Sequence, residues 1–250
     1  MTFAPAPGRA PMRTVLARQI RMELLLTARR GEAVVLAMGV PLLVLLGAGL
    51  THATTVPTDD RLGYVVPGVL ALTVMSTAFT GQAITTGYER SYGVLKRLGA
   101  SPLTRPGLLT AKTVAVLCLV VAQVLALGLV GVVAGWRPDL AQIGPAAGVT
   151  VLATAAYCGL ALVIASLLKP ETTTAAATLI YVVMLALGGI MFAEPDLGRA
   201  GYFLLPLAAH AEALRDALTD GTAIPGPIWL SLALWAAASL TAAARSFRWE

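Results

Sequence analysis

Gly87 to Lys112, GYERSYGVLKRLGASPLTRPGLLTAK, is a charged stretch set between two apolar runs, Val65 to Thr86 and Thr113 to Ala134, each long enough to cross a bilayer. A basic, structured segment in that place marks a membrane protein with something to engage at one face of the membrane. Composition agrees. Apolar residues make up 57% and charged residues 12%, and the charges fall in clusters that leave uncharged runs of about 18 residues or more.

Working outward, six runs qualify as spans: Ala33 to Leu50, Val65 to Thr86, Thr113 to Ala134, Pro145 to Leu168, Thr172 to Phe192 and Ile228 to Ala244. The last is a little short, but Trp229 at one end and Arg245, Arg248 and Trp249 at the other can anchor it at the two interfaces. Strands are not expected, because the runs lack the alternation a lipid-facing barrel needs. Gly201 to Leu218, GYFLLPLAAHAEALRDAL, is not counted as a span. Pro206 interrupts it, and Glu212, Arg215 and Asp216 would each cost about 2.5–3.5 kcal/mol unpaired in hydrocarbon. It reads as a surface or re-entrant helical element before the sixth span. The fold class is an all-α polytopic membrane protein.

Charge sets the orientation. With both termini cytoplasmic, fourteen basic residues fall inside and four, Arg61, Arg137, Arg199 and Arg215, fall outside. Five acids inside and eight outside leave the two sides at +9 and −4, consistent with the chain's +5. The basic balance is thus a topology signal, and nucleic-acid binding is not needed to explain it. Cys118 and Cys158 fall in predicted spans without metal-ligand spacing and read as packing residues. The N-terminal region does not read as a cleavable signal, since its first apolar run follows a long Arg-rich segment.

That segment divides into a flexible tail, 1–12, and a helix over 13–30; the spans occupy 31–250. On a helical wheel Leu16, Ile20 and Leu24 lie on one side and Arg18, Arg21 and Arg29 on the other, the pattern of a helix lying in the membrane interface. The alternative is a basic tail that only sets topology. Within the opening stretch Tyr88, Tyr92 and Leu95 recur at i, i+4 and i+7, and Leu98 extends the stripe. Glu89, Arg90, Lys96 and Arg97 cover other faces, so a short amphipathic helix is expected, closed by Gly99 with Pro102 shortly after. A solvated loop is the plainer alternative.

From Val65 to Lys112 the chain resembles the permease subunits of type-2 ABC exporters, the group that includes daunorubicin-resistance-like and polysaccharide-export permeases. The family's Glu-Arg-x-x-Gly-x-Leu-x-x-Leu-x-x-Ser-Pro-Leu run is matched in order by Glu89, Gly93, Leu95, Leu98, Ser101, Pro102 and Leu103. LLPLAAHAEALRDALTDG, Leu204 to Gly221, and Arg245-Ser246-Phe247-Arg248 are also similar, so the resemblance covers nearly the whole chain.

The resemblance implies an interfacial elbow helix, six spans and a cytoplasmic coupling helix docked on a separate ATPase. The coupling positions are then Tyr88, Glu89, Arg90, Tyr92, Gly93, Leu95, Lys96, Arg97, Leu98, Ser101 and Pro102, with the inner loop Lys169-Pro170-Glu171 as a second candidate. It further implies two ATPases per complex and a second permease, the same or a homologous chain. ATP and Mg would be bound by the ATPase, with no cofactor in this chain, in a bacterial cell membrane.

The residues fit this division of labour. No G-x-x-x-x-G-K-[ST] phosphate loop occurs, so energy must come from a partner or an ion gradient. Gradient-driven transporters usually carry ionisable groups inside their spans, and the six spans as drawn contain none. No nucleophile–base pair, acid pair or metal cluster suggests a membrane enzyme; an accessory scaffold is the remaining alternative.

A substrate would then meet a neutral wall. Candidate lining residues are Ser76, Thr77, Thr80, Gln82, Thr85 and Thr86 in the second span and Thr173, Thr174, Thr178, Tyr181, Met184 and Met191 in the fifth. Hydroxyls and thioethers suit an amphiphilic or apolar cargo such as a drug, antibiotic or lipid. The same hydroxyls also serve as ordinary glue between membrane helices. Gly131/Gly135 and Gly144/Gly148 are G-x-x-x-G pairs at span ends, a weak packing signal.

Overall fold

The computed structural model describes residues 11–29, 31–49, 58, 60–101, 103–190 and 205–246, and among them every regular element is helical. Pro102, Met191 and the tail 1–10 lie outside the described residues. Helix α1, Met12–Arg29, is followed by α2, Gly31–Val44, which runs into a π-helical turn, Leu45–Gly49. Next come α3, Arg61–Met75, a π-helical segment, Ser76–Gly81, and α4, Gln82–Ser91, together one continuous helix of 31 residues. A short α5, Val94–Gly99, leads to α6, Arg105–Val133. One 3-10 turn, Leu140–Gln142, opens α7, Ile143–Leu167. The chain finishes with α8, Pro170–Leu187, α9, Pro206–Leu218, and α10, Gly226–Ser246.

Five helices among the described residues are long and apolar enough to span: Arg61–Ser91, Arg105–Val133, Leu140–Leu167, Pro170–Leu187 and Gly226–Ser246. The first expected span shows as a shorter apolar helix, Met38–Gly49. The chain is a polytopic helical membrane protein. The second and third spans are longer than hydropathy alone suggests. The second continues past Thr86 to Ser91, with Gly87 lying against Thr173 and Pro170 at the start of α8. The third begins at Arg105, where the Thr104 side chain accepts from the Gly107 amide at 3.2 Å and Pro106 occupies the first turn. These helices therefore carry Glu89, Arg90, Arg105 and Lys112, which lie beyond the charge-free spans as drawn.

The Arg61–Ser91 helix is the spine, with Val65 to Phe79 buried without interruption. In lipid there is no hydrophobic drive between helices, so close packing must do the work, and small residues permit it. Ala71, Ala78 and Ala83 on the spine and Ala153, Ala156 and Ala161 on α7 are fully enclosed. Gly159 lets α10 cross α7 so closely that a Cβ there would stand 2.8 Å from the Leu240 nitrogen. Gly131 rests on Val66 and Gly148 on Trp229, so each G-x-x-x-G pair places one glycine in a contact within this chain.

The segment expected to be surface or re-entrant is a buried helix, α9, of 13 residues, too short to cross. The Tyr157 hydroxyl donates to the Pro206 carbonyl at 3.2 Å, and the Asp139 amide donates to the Leu218 carbonyl at 2.8 Å. Tyr157 stands 14 residues into α7, about 21 Å along it, so α9 runs from deep in the bundle toward the end of α7 that follows Asp139. Among the described residues α9 is packed inside the bundle and is not laid on its surface; the segment leading into it lies outside the described residues. Arg215 explains how a charge fits there. It donates to the carbonyls of Gly189 (2.6 Å) and Tyr64 (3.2 Å), pairs with Glu212 at 3.0 Å and stacks on the Tyr64 ring at 3.9 Å.

Candidate functional site

The end of α4 distributes three consecutive side chains in three directions. Glu89 turns inward to Lys112 of α6, with Nζ 2.7 Å from Oε2. Lys112 also meets Glu23 of α1 at 3.2 Å, and only 1% of its side chain is exposed. Glu23 in turn accepts from Gln19 at 2.9 Å. One ammonium between two carboxylates thus joins three helices that are distant in sequence. Burying charges is costly unless they are paired and hydrogen-bonded, and here each member has a partner.

Arg90 turns to α7. Its Nη1 donates to the carbonyls of Ser166 (2.6 Å) and Ala165 (3.1 Å), two of the last, otherwise unsatisfied carbonyls of that helix. A cation at a helix C-terminus also complements the helix dipole. Tyr88, half-buried, stacks on Tyr92 with ring centroids 6.0 Å apart.

Beyond Ser91 the chain makes a knuckle. Gly93 adopts φ 67°, a left-handed conformation that glycine takes without steric cost, and this reverses the backbone into α5. Leu95 is the anchor, 1% exposed among Leu103, Leu108 and Leu109 of the α6 entry, Leu162 of α7 and Ala243 of α10. Val15 of α1, Leu98 and Val163 pack on this small second core. The Ser101 hydroxyl donates to the Leu98 carbonyl at 2.6 Å and accepts from the Leu103 amide at 3.2 Å, closing the knuckle.

The expected single amphipathic helix with a Tyr88–Tyr92–Leu95–Leu98 stripe is therefore two pieces. Tyr92 is 69% exposed, so the stripe breaks where Gly93 changes the helix direction. Glu89, Arg90 and Leu95 fix the knuckle from beneath. Ser91, Tyr92, Lys96, Arg97 and Ser101 are exposed, and Arg97 donates to the Tyr92 carbonyl at 3.2 Å. Lys169 and Glu171 are exposed on the neighbouring turn, brought alongside by Arg90 and by the close approach of Gly87 to Pro170. The two loops singled out in the sequence are neighbours in space.

The lining candidates divide differently. Ser76, Thr77 and Gln82 are enclosed by this chain's own helices; the Thr77 hydroxyl donates to Gln123 Oε1 at 2.6 Å, and Gln82 reaches Thr86 at 3.3 Å. Thr80 is half-buried, Tyr181 is buried and Met184 half-buried. Thr178 is exposed on the open flank of α8, beside Leu179 and Val182. Sequence reasoning missed the roles of Glu23, Lys112, Gln123 and Arg215. A lone acid in an Arg-rich helix and a lysine directly abutting an apolar run were the available signals for the first two. Among the described residues no group of three or more His, Cys, Asp or Glu gathers as metal ligands.

Two comparisons bear on this arrangement. Residues 13–219, from α1 to the end of α9, match the family model described as ABC-2 type transporter. No curated protein matches the chain at a significant level.

Proposed function

Because the chain belongs to the ABC-2 type transporter family, we propose that it is the permease of an ATP-driven exporter whose separate ATPase docks on the Ser91–Ser101 knuckle. It is a multi-pass membrane permease of ABC type, from a family that works with an ATP-binding subunit. In the proposal the knuckle faces the cytoplasm with both termini, in a bacterial cell membrane. Two ATPases and a second permease, the same or a homologous chain, complete the complex. The cargo is amphiphilic or apolar and passes along the neutral flank of α8 with Thr178.

The observation that carries this reading is the anchoring of the knuckle. Glu89, Arg90 and Leu95 tie it to four other helices, while Tyr92, Lys96 and Arg97 point outward beside Lys169 and Glu171. A force on the outward residues would reach α1, α6, α7 and the spine together. Docking therefore depends on the outward cations, and the inward residues serve to position them.

The test is affinity purification with the co-expressed ATPase. Lys96→Glu with Arg97→Glu should lose the ATPase at unchanged membrane expression, whereas Arg137→Glu in an outer loop should retain it. Full ATPase recovery and turnover with the doubly reversed knuckle would move the docking surface elsewhere.

A further inference from the structure

Helix α1 does not give its apolar stripe to the membrane. Leu16, Ile20 and Leu24 are half-buried, Leu16 lies beside Gly107 of α6, and Val15 packs on the core beneath the knuckle. The opposite face is free and divided along its length. Arg18 and Arg21 are exposed on it, Arg13 is exposed at its N-terminal edge, and a shallow depression lies between them, Thr14 and Ala17. Met22, Leu25 and Leu26 follow, 52%, 45% and 37% exposed, and Arg29, also exposed, closes the helix beyond them.

The helix's one acid, Glu23, is bound to Lys112. Among the described residues Arg13, Arg18 and Arg21 have no acid or carbonyl partner, and a guanidinium stays charged at any physiological pH. Depth follows from α6. Its 29 residues extend about 43 Å against a hydrocarbon core of about 30 Å, an excess of about nine residues. The polar first part, Arg105–Lys112, accounts for that excess, and α1 packs against it. Helix α1 therefore lies at the depth of lipid headgroups.

We propose that this free face of α1 is a binding site for an anionic phospholipid of the surrounding bilayer. Arg13, Arg18 and Arg21 take the headgroup phosphate, and Met22, Leu25 and Leu26 lie against the acyl chains. A ligand that is anionic at one end and apolar along the other matches the arginines and the apolar patch beside them together. An acidic soluble protein would satisfy the arginines but leave three exposed apolar side chains in water. A zwitterionic lipid carries no net charge to be drawn to the arginines. The inference requires only that the chain sits in a bilayer, and it is independent of the docking surface proposed above.

The experiment titrates phosphatidylglycerol with a fluorescent acyl chain onto the purified full-length chain in detergent at low salt. The matching phosphatidylcholine is run in parallel, with inorganic phosphate as competitor. The wild type should prefer phosphatidylglycerol, and Arg18→Gln with Arg21→Gln should weaken that binding by about fivefold per arginine. Arg137→Gln should bind as the wild type, and inorganic phosphate should not displace the lipid. Thermal unfolding of the double variant should be unchanged, since neither arginine has a partner to lose among the described residues. Should it unfold early, Arg18→Lys with Arg21→Lys keeps the charge and should keep most of the binding. The proposal is overturned if the glutamine pair binds phosphatidylglycerol as well as Arg137→Gln does, or if phosphatidylcholine binds equally. Complete displacement by inorganic phosphate overturns it too.

Discussion

Lys112 faces Glu89 at 2.7 Å and Glu23 at 3.2 Å, so the three members of the cluster are not equivalent. Without Lys112, two carboxylates confront each other away from water; without Glu89, a one-to-one pair survives. Breaking a buried pair costs about 3–5 kcal/mol. Lys112→Met should therefore melt well below Glu89→Gln in detergent, and Glu89→Lys, which sets two ammonium groups together, should be as harmful as Lys112→Met. Equal melting temperatures for Lys112→Met and Glu89→Gln would contradict the cluster's asymmetry. A second residue-scale expectation concerns pH. Burial, and then the nearby Glu212 and Asp220, raise the Asp216 carboxyl to about 6, with Arg215 opposing. The folded chain holds this proton more tightly than the unfolded one, so the resulting stability is full below about pH 4 and lost as pH rises through about 6. The wild type should melt higher at about pH 5 than at about pH 7 for this reason, and Asp216→Asn should flatten the difference. An unaltered pH profile in Asp216→Asn would remove this residue from the account. The charges of both clusters were plain in the sequence, but their pairing was not. Glu23, Glu89 and Lys112 belong to three helices, and helical periodicity carries no information about which distant helix a side chain will meet.

Among the elements, α7 and α10 cross closely at a glycine, with the Ser239 hydroxyl donating to the Ala156 carbonyl at 3.0 Å beside Gly159. A side chain at 159 meets backbone that cannot swing aside. Gly159→Val should cost about 1–3 kcal/mol by overpacking, whereas Gly128→Val, with open space around it, should be nearly neutral. Comparable melting temperatures for the two variants would show that the crossing is looser than described. Gly159 was hidden in an Ala-rich run, and only the partner's backbone reveals its purpose. The knuckle shows a different limit of sequence reading. The i, i+4, i+7 spacing correctly identified helical residues, but a single left-handed Gly93 rotates everything after it, so Tyr92 and Leu95 part company. In α9 the charges that excluded a full crossing were read correctly. Their accommodation by the Gly189 and Tyr64 carbonyls could not be seen without the neighbours.

For the molecule as a whole, hydropathy located the spanning runs and charge bias suggested their sense, because both depend on summed properties that need no knowledge of contacts. In a background with Cys118 and Cys158 replaced, cysteines introduced at Thr58 and Ala100, both exposed, should differ. Thr58→Cys should react with an impermeant reagent in intact cells and Ala100→Cys only after permeabilisation; the reverse pattern would invert the topology. One dimension of the fold also bears on the lipid around it. Helix α8 has 18 residues, about 27 Å, while α6 runs to about 43 Å, so the two flanks do not have the same height. Beside α8 a bilayer of ordinary thickness must thin by about 3 Å, at a fraction of a kcal/mol for each ångström. The strain lies on the flank with the most open helix, and it would be relieved by shorter acyl chains or by another protein covering that side. Transport in reconstituted vesicles should thus fall as acyl chains lengthen, and a rate indifferent to chain length would mean that α8 never borders the lipid.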